Sequence, residues 1–357
     1  MATELAAGAC ADDQPVLFRG FTARIENDLF VDTDRNYTSG VSVTAISEDL
    51  GATLEPQCLP WPARLHAALI RRFDPGFSSI DTHGAPAQNV VFKVGQSMYT
   101  PGDPQRTDLI ADDRPYAGLL YAGLSWNRRT HDPEADVEKL DTREMTLGVI
   151  GPLSLAHEAQ DLIHEVRGFE KFSGWDNQLQ NEPALQLARD QKYRAYRGAS
   201  PIISGFSADM IRAIGLRLGN IETSVSAGVE GRIGWNLPND FGSYPIRPAA
   251  ENRPPAPASP VPHGDRFAAV RPGAHVFAAL ETKLVGYDFS LDGNLFRDSH
   301  SVTRRPLVVQ AALGFSVQRP VAGHGVRLAV MRVFRSREFQ EQHGRHSFGS
   351  LLLSVEF

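Results

Sequence analysis

Apolar residues alternate with small or polar ones in stretch after stretch of this chain, each close to the roughly 9 to 11 residues that a tilted membrane strand needs. In TSVSAGVEGRIGW, one face carries Val225, Ala227, Val229, Gly231, Ile233 and Trp235. The other carries Ser224, Ser226, Gly228, Glu230, Arg232 and Gly234. PLVVQAALGFSV repeats the rule, with Leu307, Val309, Ala311, Leu313, Phe315 and Val317 set against Val308, Gln310, Ala312, Gly314 and Ser316. The last segment, SFGSLLLSVEF, puts Leu351, Leu353, Val355 and Phe357 opposite Ser350, Ser354 and Glu356. Twelve segments follow this pattern: 16–27, 37–47, 90–98, 115–127, 142–150, 183–197, 203–216, 221–235, 274–287, 302–317, 325–336 and 347–357. A soluble β-sandwich alternates in the same way. Glu230 and Arg232 on the less apolar face suit a hydrated lumen better than a dry core, so the pattern predicts an all-β, twelve-stranded antiparallel transmembrane barrel.

Two long connections interrupt the strands. Residues 245–262 hold seven prolines, which cannot donate to a ladder and favour extended chain, so this reads as a Pro-rich loop without chemistry. The segment GPLSLAHEAQDLIHEVRG reads as a short helix in an extracellular loop. Ser154 is its expected N-cap, Gly168 its stop, and Leu155, Leu162 and Val166 its apolar stripe.

Composition narrows the picture further. The chain has 357 residues, 42% apolar and 22% charged, which is globular rather than disordered. A net charge of −6 with scattered basic residues argues against a nucleic-acid partner. Two cysteines, Cys10 and Cys58, cannot build a disulfide framework or a structural zinc cluster. The small-residue start lacks a basic and an apolar signal region. We therefore expect residues 1–15 to be a disordered or processed N-terminus ahead of a single barrel domain, 16–357.

Chemistry is sought where polar residues gather at strand ends. On the helix, Gln160 and His164 are four apart and share a face, and a histidine there can act as a general base. No H-E-x-x-H, G-x-S-x-G, Walker or G-x-G-x-x-G pattern occurs. The first hairpin holds Glu26, Asn27, Asp28, Asp32, Asp34, Tyr37 and Thr38, a turn-forming set that also offers oxygen ligands to a hard cation. Strand parity turns Thr38 to the lumen with Gly40, Ser42 and Thr44. It turns Asn27 outward and Asp28 inward, so the pair meets at one site only through a bulge or a main-chain contribution. A loop cation such as Arg106 could meet phosphate; for Arg114, at a strand start, pairing with Asp112 or Asp113 is an equal reading, and neither arginine is counted as catalytic.

The runs IENDLFVDTDRNYTSG, DDRPYAGLLYAGL, GVIGPLSLAHEAQDLIH, GWDNQLQNEP, LDGNLFRDSHSV and SREFQ occur in this order from about residue 20 to the C-terminus. Together they resemble the LpxR lipid A deacylase family of Gram-negative outer membranes. The resemblance implies a bacterial outer-membrane enzyme that removes the 3′-O-linked acyloxyacyl chain from the lipid A of lipopolysaccharide, with Ca²⁺ as cofactor and no protein partner. It marks Asn27, Thr38, Gln160 and His164 as catalytic, and Asp28 and Glu170, with Asn27 and Thr38, as metal ligands. Two alternatives stand beside it, an outer-membrane phospholipase and a non-enzymatic, porin-like barrel.

Overall fold

Hydrogen-bonded alternation closes on itself in this chain. The computed structural model describes residues 18–27, 36–50, 61–78, 87–132, 134–168, 170–242 and 271–357. The strands are β1 (Phe18–Asn27), β2 (Asn36–Ser47), β3 (Ala87–Thr100), β4 (Ala117–Asp132), β5 (Val137–Ile150) and β6 (Glu182–Ala199). They continue as β7 (Phe206–Gly219), β8 (Glu222–Trp235), β9 (Gly273–Asp288), β10 (Leu307–Val321), β11 (His324–Arg335) and β12 (His346–Glu356). Each pairs antiparallel with the next, and β1 pairs with β12, so the barrel is closed. Closure leaves no open sheet edge in the hydrocarbon, where an unpaired backbone group costs several kcal/mol. No described helix is long and apolar enough to cross a membrane; the strands do so.

The twelve expected strands are present, with ends that shift for local reasons. The segment expected at 302–317 begins only at Leu307, because Arg304 bridges to Phe339 instead. It then runs on to a tight turn at Ala322 and Gly323, both with positive φ (49° and 84°). Residues 1–15, Cys10, Asp28, Asp32, Asp34, Cys58 and the loop 245–262 lie outside the described residues.

Among the described residues four α-helices join the strands: α1 (Trp61–Phe73) and α2 (Pro75–Ser78) between β2 and β3, α3 (Ala156–Arg167) between β5 and β6, and α4 (Phe289–Asp292) between β9 and β10. The even strand number brings the start of β1 and the end of β12 to one rim, where Gly20 pairs with Glu356. In an outer-membrane barrel inserted from the periplasm this is the periplasmic rim, and α3 stands at the outer one.

The lumen is filled rather than open. Tyr37, Phe277, Ala279, Ala312, Met331, Val333 and Phe348 form one buried cluster across it. Ala117, Leu119, Tyr121, Ile150, Leu179, Ala184 and Phe289 form another. The inward charges are paired: Lys93 Nζ lies 3.0 Å from Glu144, and Arg232 bonds both Asp209 and Asp240. Glu230 and Arg232 do face inward, as the alternation predicts, but into a packed polar interior. A lumen so filled does not suit a porin-like channel.

Candidate active site on the outer wall

The register shows which wall the site uses. Leu313 faces lipid, and its row runs through Arg332, Gly349, Asn27, Ser39 and Met98 to Gly118. Directly paired residues share a face, so Asn27 points outward, as parity predicts. Thr38 differs from expectation. It is the extra residue of a β-bulge between Tyr37 and Ser39. Tyr37 turns inward and donates to Glu26 Oε2 at 3.0 Å. The Thr38 hydroxyl instead meets Thr100 Oγ1 at 2.6 Å, and Thr100 shares the outer face with Met98. A bulge changes the parity of the strand, and here it moves Thr38 from the lumen to the outside.

Helix α3 lies over this wall. A Cβ at Gly118 would fall 2.1 Å from Ser154 Oγ and 2.4 Å from the Ala156 methyl, so only glycine lets the helix start seat on β4. Ser154 is not the N-cap. It closes a 3-10 turn, Pro152–Ser154, and Leu155 enters the helix with φ 58° and no side-chain cap. The Ser154 carbonyl accepts from Gln96 Nε2 at 2.6 Å, which ties the turn to β3. Gly168, in the left-handed region, ends the helix as expected.

The face of α3 that packs inward is not its apolar stripe. Ala156, Gln160 and His164, at successive turns, are buried against the wall. Leu155, Leu162 (64% exposed) and Val166 (79% exposed) point away from it. The reason is the solvent: on the outside of a membrane barrel, apolar side chains belong on the side facing lipid.

Burying Gln160 and His164 requires partners, and the chain returning from α3 supplies them. Trp175 Nε1 donates to Gln160 Oε1 at 2.7 Å, which leaves Gln160 Nε2 buried with no hydrogen-bond partner among the described residues. His164 Nδ1 lies 2.6 Å from the Glu170 main-chain carbonyl. That oxygen can only accept, so Nδ1 carries the proton and Nε2 holds the lone pair in the neutral ring. Phe172 packs edge-on to the imidazole at 5.6 Å and joins Met98, Tyr116, Ala156 and Trp175 in one apolar cluster. Lys171 bridges Asp161 and Glu165 on the helix, and its hydrogen bond to Asp161 raises its ammonium above the ordinary range.

The other predicted residues are placed as follows. The carboxylate of Glu170 is exposed and accepts from Gln105 Nε2 at 2.6 Å, while its carbonyl holds His164. Arg106 pairs with exposed Asp108 through Nε at 3.0 Å, and that bond pulls the Asp108 carboxyl below its usual range. The Arg114 guanidinium turns into the lumen and bonds Glu338 at 3.0 Å, while Asp113 accepts only from the Arg114 main-chain N–H, at 2.7 Å. Burial pushes the Glu338 carboxyl up, yet Arg335 and Arg114 outweigh this and hold it at about 2. Sequence reasoning assigned no role to Trp175, Phe172, Thr100 or Gly118. Trp175 and Gly118 lie within GWDNQLQNEP and DDRPYAGLLYAGL, and an indole donor in such a run is the signal that could have marked it.

Among the described residues, no group of three histidine, cysteine, aspartate or glutamate side chains converges as a metal cage. Asn27 and Thr38 do bring neutral oxygen donors to the outward side of neighbouring strands at the rim, the donor type a hard cation takes.

Comparison with known proteins agrees with this architecture. The family model described as "Outer membrane protein LpxR" matches residues 1–357. LpxR from Salmonella typhimurium has a similar solved structure, with a TM-score of 0.64 at 16% identity, covering 95% of this chain and 100% of that one. The β-domain of the Bordetella autotransporter BrkA follows at a TM-score of 0.47 and 8% identity, covering 96% and 100%. No curated protein sequence matches the chain. At 16% identity the Salmonella structure speaks for fold alone, and the Bordetella likeness adds nothing to it, whereas the family match spans the whole length. A closed twelve-stranded barrel, a helix laid against its outer wall and a full-length family match place this chain in the LpxR family of outer-membrane proteins.

Proposed function

We propose that this protein hydrolyses an ester of lipid A, removing the 3′-O-linked acyloxyacyl chain, with Ca²⁺ as cofactor. The observation that carries this reading is the placement of an oriented imidazole and an oriented amide on the lipid side of the barrel wall. A porin needs its polar groups in the lumen. An enzyme acting on an outer-leaflet lipid needs them where His164 and Gln160 are. The exposed apolar stripe of α3 extends the lipid-facing surface to the edge of the site, so an acyl chain reaches it without leaving hydrocarbon.

The chain's own residues supply most of the chemistry. Held by the Glu170 carbonyl at Nδ1, His164 takes a proton from water at Nε2 as the water oxygen attacks the ester carbonyl carbon. Negative charge then grows on the carbonyl oxygen. Gln160 Nε2, aimed by the Trp175 bond to its Oε1, is a preorganised donor for that oxygen. As the tetrahedral species collapses, the bond to the sugar oxygen breaks and His164 returns the proton to it. The products are a free acyloxyacyl acid and a sugar hydroxyl, and no side-chain nucleophile is needed. Bound through Asn27, Thr38 and the acidic Asp28, Ca²⁺ would polarise the ester carbonyl. Glu170, also a candidate ligand, has its carboxylate at the same rim.

Mass spectrometry of lipid A from cells expressing the protein in their outer membrane tests the reading. Loss of the acyloxyacyl pair is expected, and its abolition by a calcium chelator with recovery on adding Ca²⁺. Unchanged lipid A alongside cleaved glycerophospholipid would instead establish the phospholipase.

A further inference from the structure

A second helix lies outside the barrel, at the opposite rim, and the proposed chemistry does not use it. Its position follows from another register row. Leu307, Leu284, Val225 and Leu216 all face lipid and are exposed. The same row continues through Arg189, Arg143 and Trp126 to Val90. Val90 and Trp126 are therefore on the outer wall, yet both are buried, because Ala63, Ala67, Ile70 and Phe77 of α1 and α2 cover them. The cover is clamped in place. Arg143 Nε bonds Asp74 at 2.7 Å, Arg128 Nη1 bonds the Phe77 carbonyl at 2.7 Å, and the Arg143 guanidinium stacks 4.4 Å from the Phe77 ring.

The rest of α1 is left uncovered by the described residues and has an unusual composition. Trp61 is 70% exposed and Phe73 78%, with Leu65 half exposed between them. Arg64, Arg71 and Arg72 are exposed beside these residues, and no acidic residue lies within Trp61–Phe73. The level on the wall matters as much. Phe92, two residues from Val90, meets Phe18 edge-on at 6.2 Å, and Phe18 and Phe21 continue to Phe357. This aromatic band marks the periplasmic boundary of the hydrocarbon. Farther up the same strands, Val94 is already lipid-exposed.

We propose that α1 is an interfacial foot, seated in the headgroup layer of the inner leaflet, where Trp61, Leu65 and Phe73 enter the acyl boundary and the three arginines bind anionic phospholipid. Charge complementarity and continuity with the lipid-facing band select this occupant over a periplasmic protein. An amphipathic helix with bulky apolar residues on one side and arginines beside them has the composition that lies in such an interface. Basic residues this close to an anionic surface are drawn to it.

Full-length protein reconstituted into phosphatidylcholine vesicles, with or without phosphatidylglycerol, tests the proposal. The fluorescence difference between wild type and Trp61→Phe isolates the Trp61 signal, and brominated lipids report its depth. Trp61 is expected to be quenched, more strongly with phosphatidylglycerol present. The Arg64→Gln, Arg71→Gln, Arg72→Gln triple variant should lose that gain and retain phosphatidylglycerol roughly tenfold less through detergent exchange. The heat-modifiable gel shift of the barrel checks folding. If a variant misfolds, quenching of wild-type Trp61 still decides the matter. Trp61 emission indifferent to brominated lipid would overturn the proposal, as would quenching or retention indifferent to phosphatidylglycerol or to loss of the three arginines.

Discussion

Helices α1 and α3 lie on the outside of this barrel, one at each rim, and they bury different kinds of surface. Helix α1 turns Ala63, His66, Ala67 and Ile70 to the wall, an apolar face with one imidazole in it, and presents arginines and aromatics outward. Helix α3 turns Gln160 and His164 to the wall and presents Leu155, Leu162 and Val166 outward. Burying an amide and an imidazole costs stability unless each is hydrogen-bonded, whereas burying alanine and isoleucine is favourable on its own. What sets α3 apart is an amide and an imidazole buried side by side, each oriented by a partner from the returning chain, an arrangement that attachment alone does not need. On the proposed readings, chemistry belongs at the outer rim and anchoring at the periplasmic one.

The strongest way to break this contrast is His164→Ala. Deacylation, read by mass spectrometry of lipid A, should fall by roughly 10²- to 10⁴-fold, the usual contribution of a general base. The barrel should still fold, since its strands carry the pairing. Full activity in this variant would remove the imidazole from the mechanism.

A second test displaces each helix in turn. Gly118→Leu places side-chain atoms where Ser154 and Ala156 now sit, lifts the start of α3, and should cost about tenfold or more in activity through misplacement of the site. Ala67→Asp puts an unpaired carboxylate against Trp126 beneath α1 and should leave lipid A cleavage close to wild type. Equal losses from the two substitutions would show that the rims are not separate in role.

Trp175→Phe sharpens the outer site without removing either reacting group. The Gln160 amide loses its orienting bond, and kcat should drop by roughly tenfold, less than the 10²- to 10³-fold typical of deleting an oxyanion donor itself. Substrate KM should change little. A larger KM effect would place Trp175 in substrate binding instead.

The smallest effect near neutral pH concerns the lumen. The Glu338 carboxyl, held at about 2 by Arg335 and Arg114 against the pull of burial, lies below its unfolded value of roughly 4.3. Such a group adds stability that is fully present above the unfolded value and is lost as pH falls through the folded one. Melting of detergent-solubilised wild type should be flat from pH 6 to 8 as far as this group is concerned, and should fall between about pH 4 and 2. In Glu338→Gln that step should be missing, along with stability of at most about 3 kcal/mol at neutral pH.

Much of the fold was legible in the chain because a membrane barrel writes one rule on every strand. Alternation located β8 within a residue at its start and at its stated end, and gave the outward direction of Asn27 correctly. It failed for Thr38 because a bulge shifts parity by one without leaving a mark in hydrophobicity. Periodicity left the inner face of α3 open, because it shows that two faces differ, while the surrounding medium decides which turns inward. Arg114, for which pairing with a sequence neighbour is an equal reading of the chain, sends its guanidinium to Glu338 across the lumen instead, a partner 224 positions away.

By itself the amino-acid sequence determined the strand number, the closed antiparallel class, the single helix of the outer loop, and the identity of the imidazole and amide worth testing. The strands and the helix follow from local spacing, which each segment carries within itself, while the imidazole and the amide were singled out by the family resemblance of the ordered motifs. Only the tertiary structure decided that the site is on the outer wall rather than in the lumen, that Glu170 holds His164 through its main chain, that Trp175 aims Gln160, and that α1 lies against the opposite rim. Those facts depend on which distant strands become neighbours and on which side of them lipid lies, and neither is written in the spacing of any one segment.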